Sequence, residues 1–104
     1  MNTLNLEQQL ILASKDGYLE NVKKMIKNGA NVHAEKDKAL RYAVENGHLE
    51  VVKYLVEECG ANVHADEEGA LGLAAEYGRL EVVKYLVEEC GANVHADEVG
   101  GRDW

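Results

Sequence analysis

The chain has no proline, and its only aliphatic hydroxyl groups are those of Thr3 and Ser14. A serine-type triad therefore has almost no material to work with, because it needs a hydroxyl nucleophile held beside a base. Two cysteines, Cys59 and Cys90, are too few for the disulfide framework of a small secreted domain, which fits a reducing compartment. No apolar run approaches the roughly 18 residues that a membrane-spanning helix requires. The opening MNTLNLEQQL lacks a basic stretch followed by an apolar one, so nothing there reads as a secretory signal. Basic charge is scarce as well: 11 Lys and Arg stand against 19 Asp and Glu, for a net charge of -8. Such a surface repels phosphates, which disfavours nucleic acid and anionic membranes as partners. The acidity reads first as a source of solubility. With 104 residues, 46% apolar and 29% charged, the expectation is one folded domain in the cytoplasm.

What the chain does have is an internal repeat, and this decides the architecture. Ala39 to Gly69 recurs as Ala70 to Gly100, an offset of 31 residues. The differing pairs are Arg41/Gly72, Tyr42/Leu73, Val44/Ala75, Asn46/Tyr77, His48/Arg79 and Glu68/Val99. A more diverged copy starts near Gln9; it keeps Leu10, Ala13, Gly17, Leu19, Val22 and Gly29 to Ala34 but lacks one residue before Gly29. Three copies are the fewest at which stacked repeats bury a continuous core.

Within a copy, Leu40, Ala43 and Val44 keep helical spacing, Gly47 interrupts it, and Leu49, Val52, Leu55, Val56 and Cys59 resume it until Gly60. The reading is a helical hairpin ended by Gly29, Gly60 or Gly91, where a helix C-terminus favours a left-handed residue. Ala-Asn-Val-His-Ala then reads as an extended connector. Asn5 and Gln8 predict a capping box for the first helix, and Asp37 is expected to cap the next one before Ala39. The expected fold class is all-α, a solenoid of three helix-loop-helix repeats at about 6–36, 37–67 and 68–98, with a tail at 99–104, in a single domain over 1–104.

The segment GHLEVVKYLVEECGANVHA, repeated as GRLEVVKYLVEECGANVHA and more loosely as GYLENVKKMIKNGANVHA, resembles the second helix and loop of the ankyrin repeat, usually GHxxVVxLLLxxGAxxN. The resemblance covers roughly Leu6 to Ala96. The family's Thr-Pro-Leu-His opening appears as Lys38-Ala39-Leu40-Arg41, Gly69-Ala70-Leu71-Gly72 and Gln8-Gln9-Leu10-Ile11, so only the leucine survives. The repeat is also shorter than the family's length of about 33 residues. The shortened connector and the Ala-Leu-Arg-Tyr-Ala wording resemble the ankyrin repeats of giant DNA viruses of amoebae, which implies a viral protein in host cytoplasm.

The candidates for chemistry have plainer readings. Ser14 takes the place of a small residue packed on a neighbouring helix. Cys59 and Cys90 lie one repeat apart, and stacked helices run roughly 8–10 Å from axis to axis, beyond the about 7 Å between Cα atoms that a disulfide permits. His33, His64 and His95 also recur by repeat and do not converge on one point as zinc ligands must. The resemblance implies that these histidines bond backbone groups between neighbouring loops. Glu57-Glu58 and Glu88-Glu89 are adjacent on their helices and do not face each other. The chain is therefore expected not to be an enzyme, and to need no cofactor or metal.

A curved solenoid offers an extended concave face for binding, and in the ankyrin family the first helices and loop tips line it. All the differing pairs except Glu68/Val99 lie on the first helix or the turn after it. The resemblance therefore implies a protein-binding face. Tyr77 leads the candidates, because an aromatic side chain anchors an interface at low entropic cost. Arg41, Glu45, Asn46, His48, Glu76 and Arg79 follow, with the tips Glu67 and Glu68. Drift after duplication, in which Tyr42/Leu73 and Val44/Ala75 repack the core, accounts for the same differences. The alternative to a binding module is an engineered or orphan repeat scaffold, or a fragment of a longer array, with no partner of its own. The outward face of the third copy keeps the apolar residues of the second; it is expected either to be covered by Trp104 or to pair in a homo-oligomer.

Overall fold

The first helix starts as its sequence dictates. Gln8 N–H donates to Asn5 Oδ1 at 2.7 Å and Asn5 N–H to Gln8 Oε1 at 3.0 Å, so two orphan amides are satisfied reciprocally. The computed structural model describes residues 4–91. Over that range the elements are α1 (Leu6–Asp16), α2 (Leu19–Lys27), α3 (Ala34–Glu45), α4 (Leu49–Lys53), which runs directly into a π-helical turn (Tyr54–Glu58), then α5 (Ala65–Glu76) and α6 (Leu80–Glu88). The π-turn is not a property of its local sequence, because the same Leu-Glu-Val-Val-Lys-Tyr-Leu-Val-Glu stays α-helical throughout α6.

The helices form two layers. α1, α3 and α5 stack extensively on one another, whereas α2, α4 and α6 touch more sparingly. The molecule is accordingly elongated, 52 × 22 × 21 Å. Equivalent apolar positions fill the space between layers: Leu10, Leu40 and Leu71, Ala13, Ala43 and Ala74, and Leu55 and Leu86 are all buried. Each buried leucine contributes about 1.5–3 kcal/mol on leaving water, so a substitution such as Leu40→Ala opens a cavity costing about 2–5 kcal/mol. Ser14, fully buried at the position of Val44, packs as expected, but its Oγ has no hydrogen-bond partner among the described residues.

The connectors differ from the extended segments expected. Ala34 N–H donates to Asn31 O and Ala65 N–H to Asn62 O, closing turns. The chain then makes a short left-handed coil: Glu35, Lys36 and Asp37 have φ of 54, 59 and 55°, and Asp66, Glu67 and Glu68 have 58, 55 and 63°. None of these is glycine, and a left-handed residue with a Cβ costs about 1–2 kcal/mol. The shortened repeat gives the reason, since a connector with fewer residues must reverse direction more tightly. Right-handed winding resumes only after Asp37, within the span of α3.

Asp37 is correspondingly not the cap expected for that helix. It is buried, and its carboxylate accepts the Asn62 N–H of the next loop at 2.7 Å and lies 3.0 Å from His33 Nδ1. In the preceding repeat Glu7 has the same role, accepting Asn31 N–H at 2.8 Å. The bonds between neighbouring loops are thus made by carboxylates, while His33 and His64 hold Asp37 and Glu68 within their own loops. This corrects the role expected for the histidines: each turns its Nδ1 to a carboxylate of its own loop, and it is the Asp37 carboxylate that accepts the backbone N–H of the next loop. His95, Trp104, the end of the third repeat and the tail lie outside the described residues.

Candidate protein-binding face

The candidate residues fall into two groups once their contacts are followed. The first group holds the scaffold together. Arg41 donates from Nη2 to Glu35 O at 2.9 Å and from Nε to Lys36 O at 3.1 Å, pinning the left-handed coil that precedes its own helix. Its Nη1 also lies 3.9 Å from Asp66 on the next loop. Asn46 donates to Tyr42 O at the end of α3. His48 Nε2 donates to Lys15 O at 2.9 Å, and Arg79 Nε to Glu45 O at 2.9 Å, so each turn is tied to the turn before it.

Those two ties explain a pair of glycines. A Cβ on Gly17 would sit 2.6 Å from the His48 ring, and one on Gly47 would sit 2.9 Å from Arg79 Cδ; both residues also have left-handed φ. The turn must be bare so that the side chain from the following repeat can cross it. His48 and Arg79 vary between copies yet do the same work, because both present a planar N–H group at the same reach.

The second group faces solvent. Tyr77, at the end of α5, is 47% exposed, and Glu76 and the loop tip Glu67 are exposed as well. Glu45 is half-buried. Glu68 is half-buried too, its Oε2 lying 2.6 Å from His64 Nδ1. On the same layer Lys38 sits 5.2 Å above the Tyr42 ring and 3.3 Å from Glu35, whose hydrogen bond, with a further contribution from Tyr42, holds the ammonium above the ordinary lysine range. The ion pairs here are mostly solvent-exposed and screened by water and salt, so they add little to stability. Gly72 is exposed and a Cβ there would meet open space; nothing in the structure explains a glycine at this place.

The opposite, second-helix layer carries a ladder of its own. Lys23 lies 5.7 Å from the Tyr54 ring, Lys53 lies 5.7 Å from the Tyr85 ring, and Tyr85 O–H donates to Glu57 at 2.7 Å. Burial, reinforced by Glu57, pushes the Tyr85 hydroxyl above the usual tyrosine range. Cys59 and Cys90 are free and half-buried, and burial raises both thiols above their ordinary value. A raised thiol holds less thiolate, the reactive form. Among the described residues no group of His, Cys, Asp and Glu is arranged to hold a metal ion, and no helix is long and apolar enough to cross a membrane.

Sequence reasoning missed Glu7, in the first turn of α1, and Asp37 as the carboxylates that accept an asparagine N–H of the following loop. The signal was present, since Asp37 and Glu68 lie one repeat apart, but acidic residues in a connector read by default as a solvated face. It also missed Tyr18 and Leu80, which are 59% and 77% exposed.

Comparison with known proteins agrees with the architecture. A family model described as ankyrin repeats in three copies matches residues 10–98. No curated protein matches the sequence significantly. Ankyrin repeats are generally protein–protein interaction modules and are typically non-catalytic. With three tandem helical hairpins, first helices stacked in one layer and nearly the whole length matched, the chain belongs to the ankyrin-repeat family.

Proposed function

We propose that this protein is a non-catalytic interaction module whose first-helix layer, with the adjoining loop tips, binds another protein. The carrying observation is the exposure of Tyr77 beside Glu76 at a position where the near-identical copy has Asn46, bonded to its own helix. Variation between the copies has thus turned a helix-ending side chain into an exposed aromatic on this layer. Closer stacking of α1, α3 and α5 than of α2, α4 and α6 supports a surface concave on the first-helix side. Within the proposed face Tyr77, Glu76 and Glu67 make contact, whereas Arg41, Asn46, His48 and Arg79 shape it from beneath. Glu45 and Glu68 line it.

The acidic balance favours a partner that offers basic groups, rather than nucleic acid or a membrane. The tight connectors support placing these repeats beside the shortened ones of giant DNA viruses, and a cytoplasmic protein, in host cytoplasm if viral, follows from that reading. The whole chain is one array of three repeats on the same reading. The test compares proteins captured from a cell extract by wild type and by Tyr77→Ala/Glu76→Lys, two exposed sites that leave the scaffold bonds untouched. A partner retained by wild type and lost by the folded variant supports the module; equal retention by both removes the first-helix layer from the account and favours a scaffold without its own partner.

A further inference from the structure

Each junction between repeats is built from the same components. The following repeat supplies a donor ahead of its second helix, His48 or Arg79, which crosses a bare glycine and bonds a carbonyl, Lys15 O or Glu45 O. It also supplies Val51 or Val82, each 1% exposed, and Tyr54 or Tyr85, whose ring lies under Lys23 or Lys53. The preceding repeat supplies the glycine, the carbonyl, the lysine and an apolar surface that includes Val44 and Val52, both 0% exposed.

The third repeat offers all of the preceding repeat's components again. Gly78 has left-handed φ, and a Cβ built on it would meet nothing within 4 Å among the described residues, unlike one on Gly17 or Gly47. Ala75, the counterpart of buried Val44, is exposed; Val83, the counterpart of buried Val52, is half-buried; and Leu80 is 77% exposed where Leu19 and Leu49 are half-buried. Lys84 stands where Lys23 and Lys53 reach over tyrosines. The first repeat, by contrast, lacks the following repeat's components. It has Tyr18 for the His or Arg donor, exposed Asn21 for the valine and exposed Lys24 for the tyrosine. One end is closed by polar substitutions and the other continues the internal interface.

We propose that the Gly78–Leu80–Val83 end of the third repeat docks the first hairpin of a separate ankyrin-type chain that carries Arg or His ahead of its second helix and Val and Tyr on that helix. The N-terminal end of a second copy of this chain is the wrong occupant, because it sets Asn21 and Lys24 where the internal junctions have valine and tyrosine, and burying an amide and an ammonium without partners is costly. This surface is the end of the stack; Ala75 and Gly78 adjoin Tyr77, but Leu80 lies on α6, so Leu80→Glu tests the end face without altering Tyr77 or Glu76 of the proposed groove.

The chain itself provides the probe. Tyr18→Arg/Asn21→Val/Lys24→Tyr, all at exposed positions, gives its N-terminal end the missing components, and Leu80→Glu blocks the other end. Sedimentation velocity of the wild type is expected to show a monomer. The triple variant is expected to grow into head-to-tail oligomers with rising concentration, since a heterologous contact of this kind need not close. An equimolar mixture of wild type with the triple variant that also carries Leu80→Glu is expected to give a species of twice the monomer mass. A triple variant that keeps its helical circular dichroism yet remains monomeric, alone and in the mixture, overturns the proposal. So does a wild type that dimerises in a Leu80-dependent way, because the occupant is then a second copy.

Discussion

Removing the Asp37 carboxylate should damage the array more than its place in a surface loop suggests. The residue is only 4% exposed, accepts Asn62 N–H at 2.7 Å across the junction between loops, and lies 3.0 Å from His33 Nδ1. Asp37→Ala deletes a hydrogen bond to a charged acceptor, about 1.5–3 kcal/mol. It also places alanine at φ 55°, where aspartate is better tolerated, for about 1 kcal/mol more. Relief from desolvating a carboxylate offsets some of this, leaving a loss of about 2–3 kcal/mol. Against a typical total of about 5–15 kcal/mol that is a large fraction, and it lowers Tm by roughly 10–20 °C for a domain of this size. Urea unfolding followed by far-UV circular dichroism reads the change as a lower midpoint at constant slope. Asp37→Asn keeps an acceptor oxygen and the tolerance for left-handed backbone, so its loss should stay below about 1 kcal/mol. An alanine variant that unfolds within about 0.5 kcal/mol of wild type would refute this role for the carboxylate, as would an asparagine variant as harmful as the alanine.

Three further outcomes follow from the same contacts. Ser14→Ala removes a buried hydroxyl that has no partner among the described residues, and should raise stability by about 1 kcal/mol in the same assay; a loss would mean that Oγ has a partner in solution. Gly72→Ala adds a methyl to open space on α5 and should stabilise by about 0.5–1 kcal/mol, read as a higher Tm. Because burial raises both thiols, Cys59 and Cys90 should be alkylated by iodoacetamide at mildly alkaline pH more slowly than a free thiol such as glutathione, with rates still climbing as pH rises past the ordinary cysteine value. Faster alkylation than the free thiol contradicts the packing described for them.

Much of the fold was legible because the repeat compares itself. Leu10, Leu40 and Leu71 recur at one place in successive copies, and only a stack of hairpins buries all three. The Asn5–Gln8 box was legible from local spacing alone. The connectors were not, because a run of three left-handed residues without glycine runs against the local preference of Glu and Lys, which only the aspartates tolerate well. The functions of His48 and Arg79 were hidden for a related reason: each acts on a carbonyl more than thirty positions earlier, so a variable, polar turn residue read as free for binding. Tyr77 stood out in the sequence because an aromatic replaces Asn46 between near-identical copies, and the structure leaves its side chain 47% exposed.

Site-specific photo-crosslinking tests the central claim most directly. A photoactivatable residue at position 77, on the first-helix layer, is compared with one at position 50, exposed on the second-helix layer, in the presence of cell extract. A binding face on the first-helix layer predicts a discrete crosslinked protein from position 77 and none from position 50. Crosslinking from position 50 alone would place the binding surface on the back of the array and contradict it.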